Sequence, residues 1–393
     1  MAIQSDIDTL ATPCMTDVES ALGASISKIR KFFPSLVASP ASWGFDRAGH
    51  YSDRNESFYH IDNWTTSFFA GMALIASAAA DDPELLDVVG GLKENYEEKI
   101  GRHGKDTMHD LGFLFSLYSV ALYRRTGEER HRETGLRAAR LLADRFIEPG
   151  DYIRAWGRMD DSSCKYQGLA IVDSLMNLPL LYWAAKEEGD TRLRDIAIRH
   201  TNTTLKHFVR PDGSVFHAFR FDPETGSPLG GDNYCGLDID SHWARGASWA
   251  MYGFALGFRH TGDASYLAAA RKVAEKFVNE LDGVGVPVWD FSLAHEDTAI
   301  RDSSAAAIAC CAIQELDRLG EATPALLEGK ERMIRALCSE RFLDSTTARA
   351  GLLREGEVGD GQGSFISVYT SWGDYFFTQA VAEECGYAVD FWH

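Results

Sequence analysis

The chain has 393 residues, with 39 Lys plus Arg against 58 Asp plus Glu and a formal net charge of −19, which argues against a nucleic-acid partner because such a partner requires a basic face. A hydrophobic content of 45% with only 11 Pro describes a folded chain with a large core. No apolar run reaches the roughly 20 residues a membrane-spanning helix needs, and the opening MAIQSDIDTLATPC has no basic start leading into an apolar stretch, so a soluble cytoplasmic protein is expected.

No Pro- or Ser-rich linker divides the sequence, so one domain over 1–393 is expected, with 1–16 a loosely ordered extension. Apolar periodicity predicts helices over 17–36, 64–80, 83–100, 108–126, 128–146 and 169–188. Six more follow over 190–211, 244–262, 263–281, 302–319, 323–342 and 372–386, each bounded by Gly, Pro, Asp or Asn. The twelve alternate in kind. Segments such as 83–100 and 263–281 are charged on one face and apolar on the other, as solvent-facing helices are, whereas 64–80, 108–126, 169–188, 244–262 and 302–319 are apolar or small nearly all round and require burial on both sides. Six hairpins of one inner and one outer helix, with no strand series between them, predict an all-α fold, an (α/α)6 barrel. An open α-solenoid would show the same alternation. The stretch 212–243 is the longest irregular one, and long loops in compact domains usually serve function.

In a closed ring the N-terminal turns of the inner helices collect at one mouth. Here they read Asp62-Asn63-Trp64, His109-Asp110, Asp173, Trp243-Ala244-Arg245, Arg301-Asp302 and Trp372-Gly373-Asp374. For Asp62, Asp302 and Asp374 helix capping is a sufficient explanation. Asp173 is different, because it lies several residues inside an apolar helix where an uncompensated carboxylate is costly. Asn177 falls one turn on along the same face, and Pro179 bends the helix there. Burial raises a carboxyl pKa, which is how a carboxylic acid stays protonated to act as a general acid near neutrality. Asp110 is the natural second carboxylate. Trp64, Trp156, Trp243 and Trp249 fall near the mouth and suit the apolar faces of sugar rings, His217 sits in the long loop, and Arg245 offers a guanidinium to a carboxylate. Asp222, Asp232, Asp238 and Asp240 lack the spacing of a calcium loop, and Gly230-Gly231 lacks the strand-turn-helix setting of a phosphate loop, so neither a metal nor a nucleotide is expected. Seven cysteines, an odd number without a CxxC pair, suggest neither a zinc site nor a disulfide framework.

From about Asp62 to Tyr375 the sequence resembles the unsaturated glucuronyl hydrolases, glycoside hydrolase family 88. The blocks that carry the resemblance are DNWTTSFFAGM, HDLGFLF, IVDSLMNLPLLYWA, FHAFRFDPETGSPLGG, SHWARGASWAMYGFAL, PVWDF, RDSSAAAIA and SWGDYFF. The motif around Asp173 is closer to this family than to the related unsaturated rhamnogalacturonyl hydrolases. The resemblance implies an (α/α)6 barrel without metal or organic cofactor, acting on lyase-made oligosaccharides that end in a 4,5-unsaturated uronic acid. It implies that Asp173 protonates C4 and deprotonates the water that adds at C5, that Asp110 is the second essential aspartate, and that Trp64 and His217 line the subsite of the unsaturated sugar. Trp243, Arg245 and Trp249 would border that subsite and the next. Asn63, His109, Trp156 and Asn177 complete the candidate substrate-binding set by position.

One residue departs from the family. Cys235, in DNYCG, stands where members carry a glutamine thought to hold the hydrating water, and a thiol is a weak hydrogen-bond partner. The stretch 357–371 resembles the substrate-facing loop only loosely. Against a net charge of −19, Arg245, His217 and helix N-termini are expected to supply the positive potential for an anionic sugar. Two other readings compete: a sugar epimerase or isomerase on the same barrel, which would need paired histidines at the mouth, and a non-catalytic carbohydrate-binding protein. The expected partner is an unsaturated di- or oligosaccharide, with no nucleic acid and no membrane, and the chain is expected to be a monomer or homodimer.

Overall fold

The structure, a computed structural model, describes residues 15–51, 57–293, 300–359 and 365–393. Residues 1–14 of the predicted extension and 360–364 of the stretch 357–371 lie outside the described residues, while Met15 and Thr16 already belong to the first helix. In chain order the helices are α1 (Met15–Val37), α2 (Thr66–Ala79), α3 (Pro83–Gly90), α4 (Lys93–Gly101), α5 (Leu111–Phe115), α6 (Ala121–Thr126) and α7 (Glu129–Ala143). They continue as α8 (Pro179–Glu188), α9 (Thr191–His207), α10 (Ala244–Thr261), α11 (Ala264–Asn279), α12 (Ser303–Arg318), α13 (Pro324–Leu337) and α14 (Ser371–Glu384).

These fourteen pieces among the described residues occupy the twelve predicted positions, because two positions are interrupted. The segment 83–100 breaks at Gly91-Leu92 into α3 and α4, and 108–126 runs as α5, a π-helical turn over Ser116–Val120, and α6. The segment 169–188 differs more: it opens as a strand, passes through a 3-10 turn (Val172–Asn177), and becomes α-helical only at Pro179, the position where a missing backbone N–H does no harm.

Burial separates two layers. Every residue of α10 from Ala244 to Gly257, of α12 from Ser303 to Leu316 and of α14 from Ser371 to Ala382 is buried. In α13, by contrast, only Leu326, Gly329, Met333, Ile334 and Leu337 are, a single stripe at helical spacing. The inner elements pack in sequence: α2 on α5, α5 on the 3-10 turn, that turn on α10, α10 on α12, α12 on α14, and α14 back on α2. This last contact closes the ring, so the fold is the (α/α)6 barrel and not an open solenoid. Close approach depends on glycine at two places. A Cβ on Gly112 would lie 2.3 Å from the Asn177 Cα, and one on Gly253 would lie 2.4 Å from the Leu175 Cβ.

The expectation of no strands is corrected at the mouth. Strands β1 (Phe45–Asp46), β2 (Phe146–Ile147), β3 (Tyr152–Ile153), β4 (Leu169–Ile171), β5 (Ala218–Phe221), β6 (Pro228–Asp232), β7 (Gly356–Gly359) and β8 (Phe365–Thr370) form three small antiparallel sheets. Their orders are β1-β8-β7, β2-β3 and β4-β5-β6. The stretch 212–243 is therefore not irregular throughout, since β5 and β6 pair as a hairpin with Ala218 opposite Asp232. Among the described residues no helix is long and apolar enough to cross a membrane.

Candidate active site

The ends of the inner helices meet as the ring geometry requires. Trp64 precedes α2, Asp110 precedes α5, Asp173 is second in the 3-10 turn before α8, Arg245 is second in α10, and Trp372 is second in α14. Around them lie two adjoining cavities of about 360 Å³ and about 310 Å³ that share Asp62, Trp64, Asp173 and Cys235. The first is walled further by His109, Asp110, Trp156, Tyr166 and His217, and the second by Tyr234, Arg245, Glu357 and Trp372. The sheets supply what the helices do not: β4 runs directly into the turn that carries Asp173, His217 immediately precedes β5, and β7 carries Glu357.

Two carboxyls on the first cavity are held near neutrality. Asp110 occupies the cap position of α5 without capping it, and burial, followed by repulsion from Asp173, pushes its pKa up to about 8. Its Oδ1 lies 3.3 Å from His109 Nε2, and His109 Nδ1 lies 3.0 Å from the Ser174 hydroxyl. Asp173 is raised to about 7, with burial the dominant cause. Its Oδ2 accepts no hydrogen bond from the described residues, and His217 Nε2 lies 3.9 Å away. His217 Nδ1 accepts the backbone N–H groups of Tyr234 (3.1 Å) and Cys235 (3.2 Å), so the remaining proton sits on Nε2 and faces Asp173. Burial lowers this imidazole to about 3 and His109 well below its ordinary value, so both rings are neutral. Two histidines stand at the mouth, the number an epimerase would need, but each has its Nδ1 engaged within the protein.

Other expected residues land in three ways. Trp64, Trp156 and Cys235 line the cavities; Trp64 stacks on Trp372 with centroids 4.8 Å apart, and burial pushes the Cys235 thiol up to about 12, leaving it neutral. Asn63 and Asn177 lie behind the wall, as braces. Asn63 accepts from the Thr66 hydroxyl (3.0 Å) and donates to Phe58 O (2.8 Å), while Asn177 accepts from Phe113 N (2.8 Å) and donates to Asp173 O (3.3 Å). Trp249 is in the core between Phe113 and Phe376, and Trp243 stands behind the cavity, against His217. Neither tryptophan is among the residues that line the two cavities.

Arg245 is on the second cavity, and its Nη1 is paired with acidic side chains. Nη1 donates to Asp302 Oδ2, to Glu357 O (3.0 Å) and to Glu357 Oε2 (3.3 Å), and the guanidinium lies 4.7 Å from the Trp243 ring centre. Asp302 both caps α12, accepting from Ser304 N (3.0 Å), and pairs with Arg245. Asp374 does not cap its own helix; it accepts Leu352 N, Leu353 N and the Tyr51 hydroxyl and ties the barrel to the 344–354 segment. Tyr166, Tyr234 and Glu357 escape sequence reasoning, since all three arrive from segments without helical period.

The chain matches the model of Glycosyl Hydrolase Family 88 over residues 44–342. It is 33% identical over 383 residues to the unsaturated glucuronyl hydrolase of Bacillus sp. (strain GL1), covering 93% of this chain and 94% of that one. Over 390 residues it is 31% identical to the unsaturated chondroitin disaccharide hydrolase of Streptococcus pneumoniae, with coverages of 96% and 95%. The fold matches the crystal structure of unsaturated glucuronyl hydrolase from Streptococcus agalactiae with a TM-score of 0.85 at 28% identity, covering 95% of this chain and 93% of that one.

Proposed function

The chain belongs to glycosyl hydrolase family 88, and on that premise we propose that its two cavities take a short oligosaccharide across Asp173, with the terminal 4,5-unsaturated uronic acid in the first and the leaving sugar in the second. The enzyme is a glycoside hydrolase that frees this terminal sugar. The observation that carries the assignment of residues is a pair of carboxyls raised to about 7 and about 8 on one cavity wall, one of them where the two cavities meet.

A vinyl ether is attacked by acid at carbon. Protonated Asp173 gives its proton to C4, the positive charge that develops at C5 is shared with the ring oxygen, and water adds at C5 while the Asp173 carboxylate takes up the water's proton. The net change is addition of water across C4=C5. The resulting hemiketal opens to a ketone at C5, which leaves C1 as a hemiacetal that sheds the leaving sugar. Because the anomeric carbon is never attacked, one carboxyl serves as acid and base in turn, unlike the flanking pair of ordinary glycosidases. Asp110, protonated at neutrality and oriented by His109, donates to a ring hydroxyl and adds no repulsion to the uronate. The neutral Cys235 thiol is a poor holder for water, and the His217 Nε2–H beside Asp173 is the stronger donor on that wall.

Loss of the ultraviolet absorbance of unsaturated disaccharides tests the reading directly. Wild type should consume the double bond and Asp173→Asn should not; a wild type inert toward a panel from hyaluronan, chondroitin, heparin, gellan and ulvan removes the function, and a fully active Asp173→Asn removes the acid. The same panel ranks the leaving sugars. Epimerase chemistry predicts instead that the double bond survives.

A further inference from the structure

A sugar acid brings a carboxylate into a molecule of net charge −19, and the groups expected to receive it are an arginine already paired on the second cavity and two neutral histidines. Arg245 is matched by Asp302 and Glu357, and His217 and His109 are neutral. Among the described residues lining the first cavity there is no Lys or Arg at all. The missing charge lies one layer back. Arg145, just beyond α7, is 2% exposed and donates Nε to Arg154 O (2.9 Å), Nη1 to Thr107 O (2.8 Å), and Nη2 to Ala155 O and Gly157 O (3.0 Å each). Arg154, just after β3, is 3% exposed and donates Nε to Trp156 O (3.0 Å) and Nη2 to Arg158 O (2.8 Å).

Buried guanidiniums are ordinarily matched by carboxylates, since an unmatched buried charge is costly. These two have only main-chain carbonyls, and no carboxylate of the described residues lies within ion-pair distance of either. Four of the six carbonyls they hold, those of Thr107, Ala155, Trp156 and Gly157, belong to the two segments that form the cavity wall, 107–110 with His109 and Asp110, and 155–157 with Trp156. Burial and the neighbouring Arg154 pull Arg145 down to about 9, which still leaves it charged at neutrality.

We propose that Arg145 and Arg154 are positioning residues that hold the substrate's carboxylate by their charge, through the wall and without touching it, in a cavity that has no cation of its own. This rests on the functional reading above. An anion in the cavity would complete two unmatched cations, so the field that costs stability in the free enzyme becomes binding energy in the complex.

The test compares an unsaturated disaccharide with its C6 methyl ester, in which the carboxylate charge is gone and the double bond remains. Arg154→Gln and Arg145→Gln should lower the acid-to-ester ratio of kcat/KM by about tenfold each, the size expected of a buried unit charge acting across one side-chain layer at an effective dielectric near 20. The loss should fall chiefly on KM for the acid. Arg154→Lys and Arg145→Lys, which keep the charge and lose the fork, should keep the ratio. A merely structural role would lower both substrates together and leave the ratio unmoved in folded Gln variants, which overturns the proposal. Should the Gln variants not fold, a folded Lys variant that loses the ratio overturns it equally. Wild type that consumes neither compound overturns the function and this inference with it.

Discussion

The Asp173 carboxyl holds its proton more tightly in the folded chain, where its pKa is about 7, than in the unfolded chain near 3.8. The folded state therefore binds more protons between those values, and the stability tied to this group falls as pH rises from about 4 to about 7 and is level above. Asp173→Asn removes the titration and keeps the shape. Chemical denaturation should find the variant more stable than wild type by about 2 to 4 kcal/mol at pH 8 and equal to it at pH 4; a difference independent of pH would mean the carboxyl is not held protonated. The same substitution should lower kcat by about 10²- to 10⁴-fold, the usual worth of a placed acid. In wild type, kcat/KM should fall as pH rises through about 7 to 8, because Asp173 loses the proton it gives to C4 and then Asp110 the proton with which it holds the sugar. A profile flat to pH 9 would contradict both assignments.

Asp110 and Asp173 sit on different elements, and what fixes their spacing is the contact between α5 and the 3-10 turn. Asn177 bonds Phe113 N on one side and Asp173 O on the other, and Gly112 lets the Asn177 backbone come within reach. Gly112→Ala has to push the turn away. We expect a loss of about 1 to 3 kcal/mol of stability and a fall in kcat larger than any rise in KM, read by denaturation and initial rates; unchanged kcat in a folded Gly112→Ala would show that the spacing is not critical. Elements of this kind mark the limit of sequence reading. The helix positions are legible because each spans several turns and repeats its apolar period, so α10, α12 and α14 announce themselves as buried all round. The entry to α8 is not, because Leu169-Ala170-Ile171 is apolar whether it is strand or helix, and its pairing with β5 depends on residues nearly fifty positions away. Asp110, Asp173, Trp64, His217 and Cys235 are found from their motifs. Asn63, Asn177 and Trp249 carry the right chemistry in the right blocks, yet turn away from the cavities to satisfy backbone groups or fill the core, which motif and spacing alone do not distinguish.

Across the whole molecule, 58 acidic against 39 basic residues surround the cavity proposed to take an anionic sugar. Surface charge and buried charge act over different ranges here. The surface excess repels the approaching sugar acid through water and is screened by salt, whereas Arg145 and Arg154, 2% and 3% exposed, act through protein and are screened little. Raising ionic strength from about 0.01 M to about 0.15 M shortens the screening length from about 30 Å to about 8 Å, which removes most of the repulsion and leaves the internal attraction. For the disaccharide acid, kcat/KM should therefore rise, by roughly two- to threefold, as salt is added. The methyl ester, having no charge to repel, should show no such rise, and the difference between the two substrates separates a field effect from any influence of salt on the fold. If kcat/KM for the acid instead falls with salt, the dominant field at the mouth is attractive and solvent-exposed, and the division between a repelling surface and an attracting interior does not hold.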